Sequence, residues 1–196
     1  LRELLVEVVV VAERGHFHDR PAVDVLCRVP DGASEIVATD EGYVQLVDDA
    51  GLVAAAQGHD TVLTLLRAPG EFVVRGTAVA FVDGPVSDTL RAAVNECLDL
   101  GPLRTAQQDV EFGLRQIVDI ALKAISLVVN DPSTGVTCVD QLTGLLAYAA
   151  TRGDPRTEHR DAAGTVRLRA RRTSFARLLD LATHQLRQYG KGDMAM

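Results

Sequence analysis

Four residues have types and spacing that could do chemistry. Glu111, Arg115, Asp119 and Lys123 recur every four residues with alternating sign. On a helix this spacing stacks the charges as i,i+4 pairs, each contributing about 0.2–0.5 kcal/mol when exposed. If the helix is central, Arg115 and Asp119 become an interior ion pair or the floor of a polar ligand site, because a buried charge needs a partner. Asn130 and Asp131 stand beside Ser133 and Thr134 at a helix–helix junction. Helix N-termini attract anions through their free amides, and the same residue types are also ordinary caps and turn formers. Arg115, Asp119, Asn130 and Asp131 are therefore the candidate ligand-binding set.

Other chemistry is not assigned. His16, His18 and Asp19 offer two histidines and no nearby third ligand, which reads as a loop and not a metal site. Cys138 and His184 do not make a nucleophile–base pair on sequence grounds, and a cysteine on an apolar helix face reads as core. No P-loop, dinucleotide fingerprint, nucleophile elbow or zincin helix occurs. No catalytic residue and no cofactor are expected.

These residues need elements to position them. Val110, Leu114, Ile117, Val118, Ala121, Ile125 and Val128 fall within about 100° of arc at helical spacing. Phe112, Ile120 and Leu127 lie on the other side, which predicts a helix central to its unit. Thr105 and Gln108 have the spacing of a capping box, predicting a helix from 105 to about 129. Asp131 as cap and Pro132 as first residue predict the next helix, buried through Val136, Val139, Leu142, Leu145, Leu146 and Ala149. A last helix, capped by Thr173 or Ser174, contains Phe175, Leu178 and Leu186. Upstream, Leu90, Val94, Cys97 and Leu98 make one more helical stripe.

Residues 22–82 read as β-rich. Alternation marks strands at Val23 to Cys27 and Tyr43 to Val47. Asp48 or Asp49 caps a short helix ended by Gly58. Strands are expected at 61–67, 71–75 and 78–82, with Gly70 in a Pro69-Gly70 turn and Gly76 in the next. Residues 42–47 and 71–82 are expected to pair antiparallel. Leu1 to Arg14 reads as a short helix or a strand, residues 151–164 as polar loop, and 165–170 as a short strand with Arg167 and Arg169 on one face.

The expected class is α+β. A linker or helix occupies 1–21, a small barrel-like β unit 22–84, and a helical unit around one central helix 85–196. The β segment has the hairpin pattern of barrel-sandwich hybrids, the fold of biotinyl and lipoyl carriers. Carriers need an acceptor lysine at a hairpin tip, and the first lysine here is Lys123, so no biotin or lipoyl attachment is expected.

Composition narrows the partners. The chain has 196 residues, a net charge of −7 and no tryptophan, which argues against nucleic acid. Residues 152–196 hold ten basic residues against five acidic ones, +5, and residues 1–151 hold ten against twenty-two, −12. Such an asymmetry fits an anionic surface partner or, the favoured reading, two parts that attract each other within one fold. Apolar runs such as Val8 to Ala12 are too short to span a bilayer. The chain starts at Leu1 and is expected to be a piece of a longer protein.

Gly42-Tyr43-Val44-Gln45, the Pro69 to Thr77 stretch, Arg104-Thr105, the run from Gln108 to Gln116, Val118 to Ala124, Asn130-Asp131-Pro132 and Gln188-Tyr189-Gly190 together resemble a bacterial family of predicted membrane proteins, the domain of unknown function 2254. The resemblance covers roughly residues 40–196. It implies N-terminal transmembrane helices followed by a soluble region, of which this chain matches the latter. After Ser126 the family reads Pro, a small residue and Ile. Here Leu127-Val128-Val129 replaces them, which predicts that the helix runs further. The resemblance implies a membrane setting and no particular reaction, and the leading expectation is a non-enzymatic assembly or regulatory domain on the cytoplasmic side. Its expected partners are the transmembrane region of the same protein and a further copy of the chain. The alternative is a ligand-sensing domain, with a catalytic one ranked below it, that has a polar pocket near the four candidate residues.

Overall fold

The computed structural model describes residues 32–190. The readings of Leu1 to Arg14, of His16, His18 and Asp19, and of the strand at Val23 to Cys27 lie outside them. The described residues form an α+β structure in two compact units. Of the described residues, one holds 32–109 together with 156–172, and the other holds 110–155 together with 173–190.

The first unit is built on strands. In chain order it contains β1 (Ala33–Val37), β2 (Gly42–Val47), α1 (Asp49–Gly58), β3 (Leu63–Leu65), β4 (Phe72–Val73), β5 (Ala78–Asp83), α2 (Asp88–Glu96), β6 (Leu98–Gly101), β7 (Glu158–Arg160) and β8 (Val166–Ala170). Five strands form a mixed sheet in the order β1-β5-β3-β8-β7, and three form a second sheet, β4-β2-β6. Both sheets are open, so these strands do not close a barrel. β8 lies parallel to β3, with Leu63 opposite Leu168 and Leu65 opposite Ala170. A parallel pair cannot be closed by a tight turn. Here the connection between the paired strands includes the whole 110–155 segment. The sequence divides the chain at residue 84, whereas the sheet unit extends to 109 and takes back 156–172.

The β pairing is split between the sheets. β2 pairs antiparallel with β4, Tyr43 opposite Phe72, but β5 pairs with β1 and β3 instead. The expected pairing of 42–47 with 71–82 therefore holds only at 72–73. The Gly76 turn sends the chain across to the other sheet. Both turns contain glycine at positive φ, +87° at Gly70 and +83° at Gly76. They close through Glu71 N–H to Ala68 O and Thr77 N–H to Val74 O. L-residues avoid that backbone region, and glycine enters it freely. Ile36, Leu52, Leu63, Val79, Leu90, Val94 and Leu168 are buried together in this unit.

α1 begins where the sequence places it, with the Asp48 carboxylate accepting from Gly51 N–H at 3.0 Å. α2 is capped by Ser87, which accepts from Leu90 N–H. Leu98 is not on a helix; it opens β6 and pairs with Val47.

Among the described residues the second unit is three helices: α3 (Val110–Ala124), α4 (Pro132–Arg152) and α5 (Phe175–Gly190). α3 packs against both others. Leu114, Val118, Ala121, Cys138, Leu142, Leu146, Phe175 and Leu181 form its core.

α3 is shorter than its periodicity predicts at both ends. Thr105 and Gln108 do not form a capping box. The Gln108 amide instead reaches Val47, accepting from its N–H at 2.9 Å and donating to its carbonyl at 3.2 Å. Asp109 is buried and held by Arg104. Those two ties pin 105–109 in a turn, so the helix starts at Val110. Its C-terminal end stops at Ala124 without a proline. The Ser126 hydroxyl donates to Lys123 O at 2.7 Å, and Asp131 N–H donates to Ala124 O at 2.8 Å. These donors take carbonyls that a longer helix would have satisfied itself.

Candidate functional site

The four sequence-assigned residues sit on α3 and at its junction with α4. Arg115 is half-buried and Asp119 exposed. Among the described residues no ion pair joins them, and the expected four-residue ladder does not form. Glu111 turns instead to α5, accepting from Thr173 Oγ1 at 3.0 Å and from Arg177 Nη2 at 3.3 Å. Gln116, Asp119 and Lys123 make a solvent-facing stripe of α3. Asn130 is exposed, at φ +46°, and its N–H donates to Ser126 O.

Asp131 is occupied as a cap. Its Oδ1 accepts from Ser133 Oγ at 2.7 Å and from Thr134 N–H at 3.2 Å, and its Oδ2 accepts from Thr134 Oγ1 at 2.6 Å. The Thr134 hydroxyl, then that of Ser133, holds this carboxyl down at about 2, against an ordinary 3.8. Hydrogen bonds to the charged form favour ionisation. The structure does not join Arg115 and Asp119 to Asn130 and Asp131 by any hydrogen bond or ion pair among the described residues.

The strongest polar constructions lie elsewhere, in the sheet unit, and single-motif reading missed them. Arg172 grips Asp49 at the start of α1 through both carboxylate oxygens. His159 Nε2 lies 3.7 Å from the same carboxylate, buried and with no hydrogen-bond partner among the described residues. Asp161 on the β7–β8 turn is buried. It accepts from Arg167 Nε at 2.8 Å and from the backbone of Ala163 and Thr165. The Arg167 guanidinium holds its carboxyl below the ordinary range, and Asp161 in turn raises Arg167. Arg167 also reaches Asp60, 2.9 Å away, and Arg171 reaches Glu71 at 3.0 Å. Arg169 and Arg160 both approach Glu158.

The signal for these pairs was the charge asymmetry. Arg167, Arg171 and Arg172 face acids contributed by 49–71, and Arg160 and Arg169 face Glu158, so these arginines are paired inside their own unit. Arg104 makes a further tie, donating from Nε at 2.9 Å and from Nη2 at 2.6 Å to Asp109 Oδ2.

The two thiols among the described residues are structural. Cys138 is buried in the helical core. Burial pushes the Cys97 thiol up, and Asp48 and Glu96 add to it, which disfavours the nucleophilic thiolate.

The fold and these ties define an α+β chain in which a set of arginines braces the strand unit. Among the described residues, no helix is long and apolar enough to cross a membrane. The chain belongs to the family described as Predicted membrane protein (DUF2254), which it matches over residues 8–196. It is similar to an uncharacterized protein of Mycobacterium bovis and to one of Mycobacterium tuberculosis, each 34% identical over 168 residues. Each match covers 82% of this chain and 32% of the relative, so the chain spans about a third of their length. No solved structure matches.

Proposed function

We propose that this chain is an extramembrane, non-enzymatic domain of a multi-pass membrane protein, serving assembly or regulation. The observation that carries the reading is the charged outer face of its helices in a family of predicted membrane proteins. Gln116, Asp119 and Lys123 on α3, and Arg177, Asp180, His184 and Arg187 on α5, all face solvent. Such faces are costly in hydrocarbon and suited to water. The full-length relatives have room for membrane-spanning segments in the two-thirds of their length beyond the match. A position on the cytoplasmic side belongs to the same proposal.

Asp131 favours this reading over a ligand site at the α3–α4 junction, because its carboxylate is already spent on Ser133 and Thr134. Native mass spectrometry of the full-length protein in detergent tests the choice. A defined subunit number with no retained small molecule is expected. A retained small-molecule mass that disappears in Asp131→Ala would favour ligand sensing instead.

A further inference from the structure

We propose that the tip of the α3–α4 hairpin, Leu127, Val128 and Val129, dips into the hydrocarbon boundary of a lipid bilayer. The inference rests on the membrane reading above and names a surface that would touch the lipid. Leu127 and Val128 are each 94% exposed and Val129 57%. Apolar side chains this exposed and consecutive mark a contact surface when a polar rim surrounds them. Here the flanking polar residues are Lys123, Asn130 and Ser133, all exposed.

The backbone holds the trio out. Ser126 Oγ donates to Lys123 O, Asn130 N–H to Ser126 O at 2.8 Å, and Asp131 N–H to Ala124 O at 2.8 Å. Val129 N–H donates to Ser126 Oγ at 3.4 Å. The turn is thus closed at its base by its own hydrogen bonds, while among the described residues the side chains of Leu127 and Val128 find almost no cover.

The occupant follows from shape and charge. A stable protein interface buries about 800 Å² on each partner, far more than three aliphatic side chains at a hairpin tip offer. A bilayer surface deforms around a convex tip and needs no matching groove. The charges nearest the trio are Lys123 and the fully ionised Asp131, one of each sign, so anionic headgroups gain little. The tip fits a zwitterionic surface, entered by apolar contact and insensitive to salt. Three side chains bind weakly alone, but a chain tethered to a membrane meets lipid at high effective concentration.

The chain contains no tryptophan, so Val128→Trp gives a single reporter. With phosphatidylcholine vesicles its emission should move to shorter wavelength and be quenched by brominated lipid, equally at low and high salt. Adding Leu127→Asp to the reporter should weaken partitioning about 10-fold or more, with the circular dichroism unchanged. A reporter that stays open to aqueous acrylamide at saturating lipid would overturn the proposal. So would a shift that follows protein concentration without lipid, which would indicate a second copy, or one seen only with anionic vesicles and abolished by salt. The membrane reading itself fails separately, if the full-length protein is absent from the membrane fraction.

Discussion

Gly70 and Gly76 provide a matched pair of perturbations. Both sit at nearly the same positive φ, +87° and +83°, and both close a turn. They differ in what an added methyl would meet. At Gly76 nothing lies within 4 Å. At Gly70 the new Cβ would stand 2.5 Å from Asp109 Cγ and 2.8 Å from Arg104 Nη2. Gly76→Ala therefore costs backbone strain alone, about 1–2 kcal/mol. Gly70→Ala costs the same strain plus the displacement of a buried, salt-bridged carboxylate, about 1–3 kcal/mol more by analogy with overpacking. Urea denaturation followed by circular dichroism measures both. Asp109→Ala in the Gly70→Ala background removes the obstruction, so the double variant should be less damaged than the two single losses added together. Equal losses at the two glycines, within about 0.5 kcal/mol, would refute the close packing of Asp109 on the Pro69-Gly70 turn.

Gln108→Ala should cost about 1–3 kcal/mol by stranding the N–H and carbonyl of Val47, read from the denaturation midpoint. Thr105→Val, by contrast, removes a buried hydroxyl that has no partner among the described residues and should be neutral or stabilising in the same assay. Arg172→Ala should cost about 1–2 kcal/mol, since the Asp49 it leaves behind is about a third exposed, and the loss should shrink at high salt. Asp131 has a folded pKa of about 2, below its ordinary 3.8, so its contribution is present above about pH 4 and is lost as pH falls toward 2. An acid titration monitored by helical signal should show that loss in the wild type and not in Asp131→Asn, which still caps.

Local signals were legible where one residue decides the outcome. Asp48 capping α1, Gly58 ending it, Asp131 with Pro132 opening α4, and the turn glycines 70 and 76 all follow from short-range chemistry. What escaped was decided at long range. Gln108 has a partner sixty-one positions away in Val47, so its capping-box spacing was coincidental. Residues 158–160 carry no apolar alternation and become β7 only because β8 pairs beside them. The helix after 124 had the right periodicity, but Ser126 and Asp131 offered its last carbonyls better donors. The candidate site fared likewise. Arg115 and Asp119 have pairing spacing, yet Glu111 finds its partners on α5. The arginine ties to Asp49, Asp60 and Glu71 span a hundred positions or more, where only the charge asymmetry of the two segments hinted at them.

The central claim is that these helices stand in water beside a membrane. Asp119→Cys, in the full-length protein with Cys27, Cys97 and Cys138 replaced, places a thiol on the exposed stripe of α3. In sealed vesicles the account predicts modification by a membrane-impermeant maleimide from one side. A thiol that is unreactive from both sides and becomes reactive only in detergent would contradict it.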